Sequence, residues 1–290
     1  MLTFVAVIGG TRRQALVALG ALVVGGGLAA CADGSGSRSS APVAAASTGP
    51  AVRSTSPATI SVRGDTEVEV RGSGLARTTA VRIGGTDVPV TSARDDRVVF
   101  TAPGSTDFAS TTARATLRAG AAALAATTLR FGPVDGVDRQ LQYLLRYWKD
   151  YNPDYEPLGT TDCVDFTSQS LLARGWTEQD SWTHAERVAE SGGAWISSTL
   201  FRDFVQVHPQ LGTALTDDER AKVKLGDVVQ FDWDGTGDRD HTGVVSRITT
   251  EGGRIRIGFA GHTTDSDYRD VDDAITKDHP GGTAYYWSLA

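Results

Sequence analysis

The 290-residue chain predicts two folded domains of different class, an all-β sandwich followed by an α+β domain. Three observations carry this. Across residues 58–132 the apolar positions recur with a period of two, in short runs broken by turn residues. From residue 133 onward helical spacing takes over and then alternates with strand-like runs. Charge balance reverses at the same place: Arg outnumbers Asp plus Glu in 50–133, and acids outnumber bases in 134–290. A single domain has little reason to change sign midway. The chain as a whole carries a formal net charge of -7, which makes nucleic acid a poor candidate partner.

Residues 1–30 read as an export signal. Arg12 and Arg13 precede an apolar run over 14–30 that ends in small residues. A membrane-spanning helix is the alternative, but the run holds several Gly and closes on a cleavage-like site. Leu28-Ala29-Ala30-Cys31 resembles the bacterial lipobox, which implies that Cys31 is lipidated and becomes the mature N-terminus. Each acyl methylene adds roughly 0.8 kcal/mol of membrane affinity, so two or three chains anchor stably. Thr11-Arg12-Arg13-Gln14 is similar to a twin-arginine signal, with Ala15 where a bulky apolar residue is usual. The expected location is therefore the outer face of the cell membrane, held by a lipid. Residues 31–57 are Ser-, Ala- and Gly-rich and read as a flexible linker.

The sandwich follows at 58–132. Thr59–Arg63, Glu67–Arg71, Ala80–Ile83, Val88–Val90, Arg97–Phe100, Ala113–Leu117 and Thr127–Phe131 each read as a short strand, and Gly84-Gly85 as a hairpin turn. Val70-Arg71-Gly72-Ser73-Gly74-Leu75, Val81-Arg82-Ile83-Gly84-Gly85-Thr86 and Phe100-Thr101-Ala102-Pro103 together resemble the IPT/TIG immunoglobulin-like family. That resemblance implies a spacer or contact module. The segment has no His or Cys, so it carries no predicted chemistry.

The second domain, 133–290, opens with a helix at 137–150. Cys163 is the one cysteine left once Cys31 is set aside, and it has no disulfide partner. It could be a buried apolar filler. Its neighbours point elsewhere: Gly159–Asp162 is a polar turn, and Val164, Phe166, Leu171 and Leu172 have amphipathic helical spacing. Cys163 thus opens a helix, where the dipole and free amides are expected to lower a thiol pKa. A thiolate nucleophile needs a base. His241 follows an acidic, Gly-rich loop and opens the strand-like run 242–248, and 225–231 reads as the strand before it. Cys at a helix start with His at a strand edge is the arrangement of papain-like hydrolases.

Asp162-Cys163-Val164-Asp165-Phe166-Thr167-Ser168-Gln169, Leu225–Gly235 with Asp240-His241, and Asn152-Pro153-Asp154-Tyr155 resemble, in order, the motifs of the bacterial putative amidase domain family, a papain-like group related to cell-wall hydrolases. Trp182 and Trp195 match its aromatic positions more loosely. Thr160-Thr161 replaces the usual Gly-Gly, and Asp165 the usual Asn. Asp165 is expected to point away from the thiol. The resemblance implies a cysteine amidohydrolase acting on peptidoglycan or peptide amides, with His262, just past the strand 255–260, as third catalytic group. Asp265 and Asp240 are alternatives for that role, and Asn152 or Asp162 for helping the oxyanion.

No cofactor is expected. Asp232, Asp234 and Asp238 alternate through the acidic loop as in calcium sites, but no bidentate Glu follows, so a polar turn is the preferred reading. His184, His208 and His279 show no ligand spacing, which disfavours a metallohydrolase. The main rival function is an inactive hydrolase fold serving as a binding or scaffolding lipoprotein.

Overall fold

The computed structural model describes residues 49–179, 181–185 and 193–290. The signal-like segment, Cys31 and most of the Ser/Ala-rich stretch lie outside the described residues. No helix among those described is long and apolar enough to cross a membrane.

The first domain is an immunoglobulin-like sandwich of β1 (Ala51–Ser56), β2 (Ile60–Ser61), β3 (Gly64–Ser73), β4 (Ala80–Ile83), β5 (Thr86–Arg94), β6 (Arg97–Pro103), β7 (Thr111–Ala119) and β8 (Ala122–Gly132). Their order is β1-β3-β6-β5-β4-β7-β8-β2. Alternation sends Val68 and Val70 of β3 inward and Glu67 and Arg71 outward. Strand β5 belongs to both layers. Its first half pairs with β4 (Val81↔Val88) and its second with β6 (Val90↔Phe100), with a register shift between Val90 and Ser92. That bulge lets one strand turn the corner between the sheets. Between β4 and β5, Gly84 and Gly85 hold φ of 56° and 92°, the left-handed pair that a two-residue hairpin demands. The core comprises Val62, Leu75, Phe100, Leu117, Leu129 and neighbours.

Order begins earlier than the composition suggested. Residues 51–56 fall within the expected linker yet form β1, because the edge of β3 offers its free backbone groups (Ala51↔Ser73 to Ser56↔Glu69).

The second domain is mixed helix and sheet. Its helices are α1 (Gly136–Tyr147), α2 (Asp162–Arg174), α3 (Gly193–Ile196), α4 (Ser198–Val207) and the short α5 (Val271–Asp273). Its strands are β9 (Gly212–Thr216), β10 (Val228–Asp232), β11 (His241–Glu251), β12 (Arg254–Gly261), β13 (Ser266–Asp270) and β14 (Thr283–Leu289). They form an antiparallel sheet ordered β13-β12-β11-β10-β14-β9. One face packs α2 and its neighbours through Val164, Phe166, Leu171, Val228, Val244 and Ala260. The other face buries Val229, Phe231, Val245, Ile257 and Phe259 under Val223, Val271 and Ala274.

Helix α1 is capped by Asp135, whose carboxylate accepts the Asp138 amide at 2.9 Å. Helix α2 is not the one-sided amphipath its spacing suggested: residues 162–171 are all buried. Its polar side chains are satisfied internally, as with the Thr167 hydroxyl donating to the Cys163 carbonyl (2.9 Å) and Ser168 donating to the Trp195 carbonyl (3.0 Å).

The two domains share a polar joint. Asp138 is fully buried and accepts from the Ser61 hydroxyl (2.9 Å), Arg63 Nε (2.7 Å) and the Val134 amide (2.9 Å). Arg63 also bonds Asp135. Nearby, Gln142 Nε2 donates to the Phe108 carbonyl (2.8 Å), and Phe108 packs against the cluster around Leu141, Leu144 and Phe166.

Candidate functional site

Cys163 sits in the first turn of α2 as a free, buried thiol. Its sulfur meets three donors: the backbone amide of Thr242, the Ser198 hydroxyl and the Val164 amide. The Ser198 Oγ lies 3.9 Å from Sγ. The expectation of a lowered thiol pKa is not met in this state. Burial pushes the Cys163 thiol up; the three donors oppose that shift and the Asp162 charge adds to it. Helix-end stabilisation is a surface-scale effect, whereas desolvation of a buried thiolate is larger.

The Ser198 contact belongs to a directed chain. The Trp287 indole can only donate, and does so to Gln230 Oε1 at 2.9 Å. That fixes the Gln230 amide, whose Nε2 donates to Thr242 Oγ1 (3.1 Å) and to the Ser198 carbonyl (2.8 Å). With its oxygen occupied, the Thr242 hydroxyl donates to Ser198 Oγ at 2.9 Å. The Ser198 proton is then left for the sulfur. Every link is buried, so each bond polarises the next and the chain ends positive toward Cys163. None of these four residues stands out as functional in the sequence. The available signal was a polar Gln230 inside the apolar run 228–231.

His241 is not joined to Cys163 by a hydrogen bond among the described residues. It pairs across the ladder with Phe231, so its ring lies on the sheet face opposite α2, against Phe231, Trp233 and Phe259. Thr242, one residue on, faces the helix. The His241 Nε2 is buried without a partner. Burial, helped by the charges of Arg269 and His279, pushes its pKa down to about 3, so the ring is neutral here and a weak base while it stays in this cluster. Gly261 leaves room for this ring: a Cβ there would lie 3.6 Å from Nε2.

His262 is held apart from both. It follows the end of β12 and is sandwiched between Phe166 (3.8 Å between centroids) and Tyr151 (3.9 Å). Its Nδ1 bonds Asp162, and its Nε2 donates to the Tyr147 carbonyl at 2.9 Å. With both nitrogens engaged, it cannot orient His241 in this arrangement. It ties together the end of α1, the start of α2 and the end of β12.

The remaining candidates are engaged elsewhere. Asn152 donates to the Tyr143 hydroxyl (3.0 Å) and accepts the Asp154 amide (3.1 Å). Asp162 accepts the Leu158 amide (2.7 Å) in addition to its His262 bond; a carboxylate so placed is no oxyanion donor. Asp240 accepts the Trp233 amide (2.6 Å), and Asp265 the Tyr151 hydroxyl (2.8 Å). Asp165 does point away from the thiol, accepting from Trp195 Nε1 (2.6 Å) and Gln169 Nε2 (2.9 Å). Trp182 is buried and donates to Ser168 Oγ at 3.0 Å.

Among the described residues, Asp232, Asp234, Asp238 and Asp240 bring carboxylate oxygens within 4.8 Å of one another. These could hold a cation, but Asp232 already accepts the amides of Gly235 (2.7 Å) and Gly237 (3.0 Å), as a self-closed polar turn would. His184, His208 and His279 do not converge; His184 lies edge-on to Tyr155 and Trp195, while His279 stacks on Trp233.

The family model of the putative amidase domain matches residues 137–287, and that of the IPT/TIG domain matches 50–131. The curated Bacillus subtilis (strain 168) protein named "Uncharacterized protein YhbB" is 28% identical over 131 residues. That alignment covers 40% of this chain and 39% of the relative, so the chain spans about two fifths of its length. Solved structures with local likeness include the plexin A4 extracellular region (TM-score 0.25, 15% identity, 29% of this chain and 10% of that one). Another is an auxiliary nutrient binding protein from Bacteroides thetaiotaomicron (TM-score 0.22, 16% identity, 28% and 19%). A Bacteroides ovatus glucan-utilization protein, SGBP-B, gives TM-score 0.25 at 10% identity over 83% and 50%. Likeness this slight carries no argument about function.

Proposed function

Because the chain belongs to the putative amidase domain family, we propose that it is a cysteine-dependent amidohydrolase with a papain-like arrangement, in which Cys163 attacks the carbonyl carbon of an amide. The observation that carries this is the convergence of the Thr242 amide, the Ser198 hydroxyl and the Val164 amide on a single free sulfur at a helix start. Such donors favour negative charge at that point, whether on the thiolate or on the oxyanion formed beside it. Attack forms a C–S bond and a tetrahedral oxyanion. Collapse breaks the C–N bond, and the leaving amine takes up the proton the thiol gave. Water then cleaves the thioester to a carboxylic acid and restores the thiol.

His241 is the proton carrier in this reading. It must turn from the aromatic cluster toward the sulfur, and its partnerless Nε2 means that no hydrogen bond is broken there. The lipobox-like Leu28–Cys31 supports an exported, lipid-anchored protein, and that location makes peptidoglycan amides the favoured substrate. The test is release of soluble muropeptides from purified peptidoglycan by wild type and Cys163→Ala. Release by the wild type alone is expected; equal release by both defeats the proposal.

A second reading is favoured by one observation. A thiol raised by burial and unbonded to any histidine suits a binding or scaffolding protein with a silent hydrolase fold. Iodoacetamide separates the two: labelling well below pH 8 supports the enzyme, and an inert thiol supports the scaffold.

A further inference from the structure

A cleft lies between α4, β9 and β14, and Trp287, which lines it, also belongs to the apolar cluster that holds Cys163. It comprises a cavity of about 430 Å³ and an adjoining one of about 120 Å³, both bordered by Arg202, Ala214, Arg239 and Trp287. No Asp or Glu lines either cavity, although the chain holds 35 acidic residues against 28 basic ones. The two arginines share the Gly237 carbonyl but differ in their ion pairs. Arg202 pairs with the exposed Asp203 (2.8 Å) and donates to the Gly237 carbonyl (2.6 Å).

Arg239 has no ion-pair partner among the described residues. Its guanidinium carbon lies 3.7 Å from the Tyr285 ring centroid, its side chain donates among the described residues to the backbone carbonyls of Gly237 and Asp238, and its Nε is buried without an acceptor. A cation held on an aromatic face, with a buried donor that no protein acceptor satisfies and the Arg202 guanidinium beside it on the same Gly237 carbonyl, is complementary to an oxyacid group. The lining shared with the two arginines is apolar, from Ala214 and Trp287, with Val205 in the larger cavity. That wall favours an anion attached to an aliphatic chain over a bare ion.

We propose that this cleft binds the carboxylate of a short peptide, with Arg239 as the main contact. The choice of a peptide rests on the amidase reading; the choice of an anion rests on the cleft. Trp287 and Gln230 border the smaller cavity and begin the donor chain to Cys163, so an occupied cleft would press on the residues that polarise the sulfur.

The test is calorimetric titration of the full-length Cys163→Ser protein, which removes turnover from the readout. Three probes are used: N-acetyl-trialanine with a free C-terminal carboxylate, the same peptide as its C-terminal amide, and inorganic phosphate. The acid is expected to bind roughly tenfold or more tightly than the amide, the worth of a charge-assisted pair. Arg239→Gln is expected to abolish that preference, with its unfolding midpoint recorded alongside. Should that variant fail to fold, Arg202→Gln, on a partly exposed helix face, is expected to reduce the preference. Equal binding of acid and amide, binding of neither, tighter binding of phosphate than of the acid, or an unchanged preference in Arg239→Gln would each overturn the assignment. Binding without hydrolysis by wild-type protein would count against the amidase reading alone; hydrolysis without binding would count against the cleft alone.

Discussion

Removing the Ser198 hydroxyl tests the directed chain at its last link. A hydrogen bond to a charged acceptor is worth about 1.5–3 kcal/mol, and at 3.9 Å to sulfur the lower figure shrinks to about 1 kcal/mol. That corresponds to about a fivefold smaller thiolate-to-thiol ratio in Ser198→Ala at any pH below the midpoint. Part of the loss is returned, because a more basic thiolate is the better nucleophile, with a Brønsted slope near 0.4–0.5. Net alkylation by iodoacetamide should therefore slow only about two- to threefold at neutral pH, while the midpoint of the pH–rate profile moves upward. Trp287→Phe should move the midpoint the same way by less, since it acts through Gln230 and Thr242. An unmoved midpoint in Ser198→Ala would refute the donor assignment. A shift in Ser198→Ala with none in Trp287→Phe would refute the chain.

Three further outcomes follow from buried groups. His241, with a folded pKa near 3 against 6.5 when free, binds fewer protons folded than unfolded between those values. Stability therefore falls as pH drops below about 6.5, by about 2 kcal/mol at pH 5, and His241→Phe should flatten that fall in chemical denaturation. Asp138→Ala strands the Ser61 hydroxyl, the Val134 amide and Arg63 at the domain joint, for an expected loss of about 2–4 kcal/mol; a loss under about 1 kcal/mol would mean the joint is ornamental. His262→Ala should cost about 2–4 kcal/mol by thermal unfolding, since two stacked faces and two nitrogen contacts are lost together.

How much of this was readable in the sequence depends on the range of the cause. The helix start at Cys163 was legible because its signals are local: a polar turn, then an apolar rhythm. The sandwich strands were legible for the same reason, since alternation at Val68 and Val70 reports their own burial. Strand β1 was not, because its order comes from the edge of β3 and not from its own composition. The face of the sheet that His241 occupies was illegible too, for it follows from pairing with Phe231, ten positions earlier in the chain. The place of His262 depends on Tyr151 and Phe166 closing from two different elements. Neutral residues such as Ser198, Thr242 and Gln230 carry no periodic mark of a role; only their burial, visible once folded, marks them.

Strand β14 is inserted between β10 and β9, two strands that precede it in sequence. The donor chain starts on it, at Trp287. Until that strand has threaded into place, nothing fixes the Gln230 amide, and the sulfur faces a disordered set of dipoles. The donors thus converge on the thiol only once the sheet is complete. A partly folded or locally opened copy holds the same cysteine without the polarisation and without the burial that pushes the thiol up, so it meets solvent as an ordinary thiol.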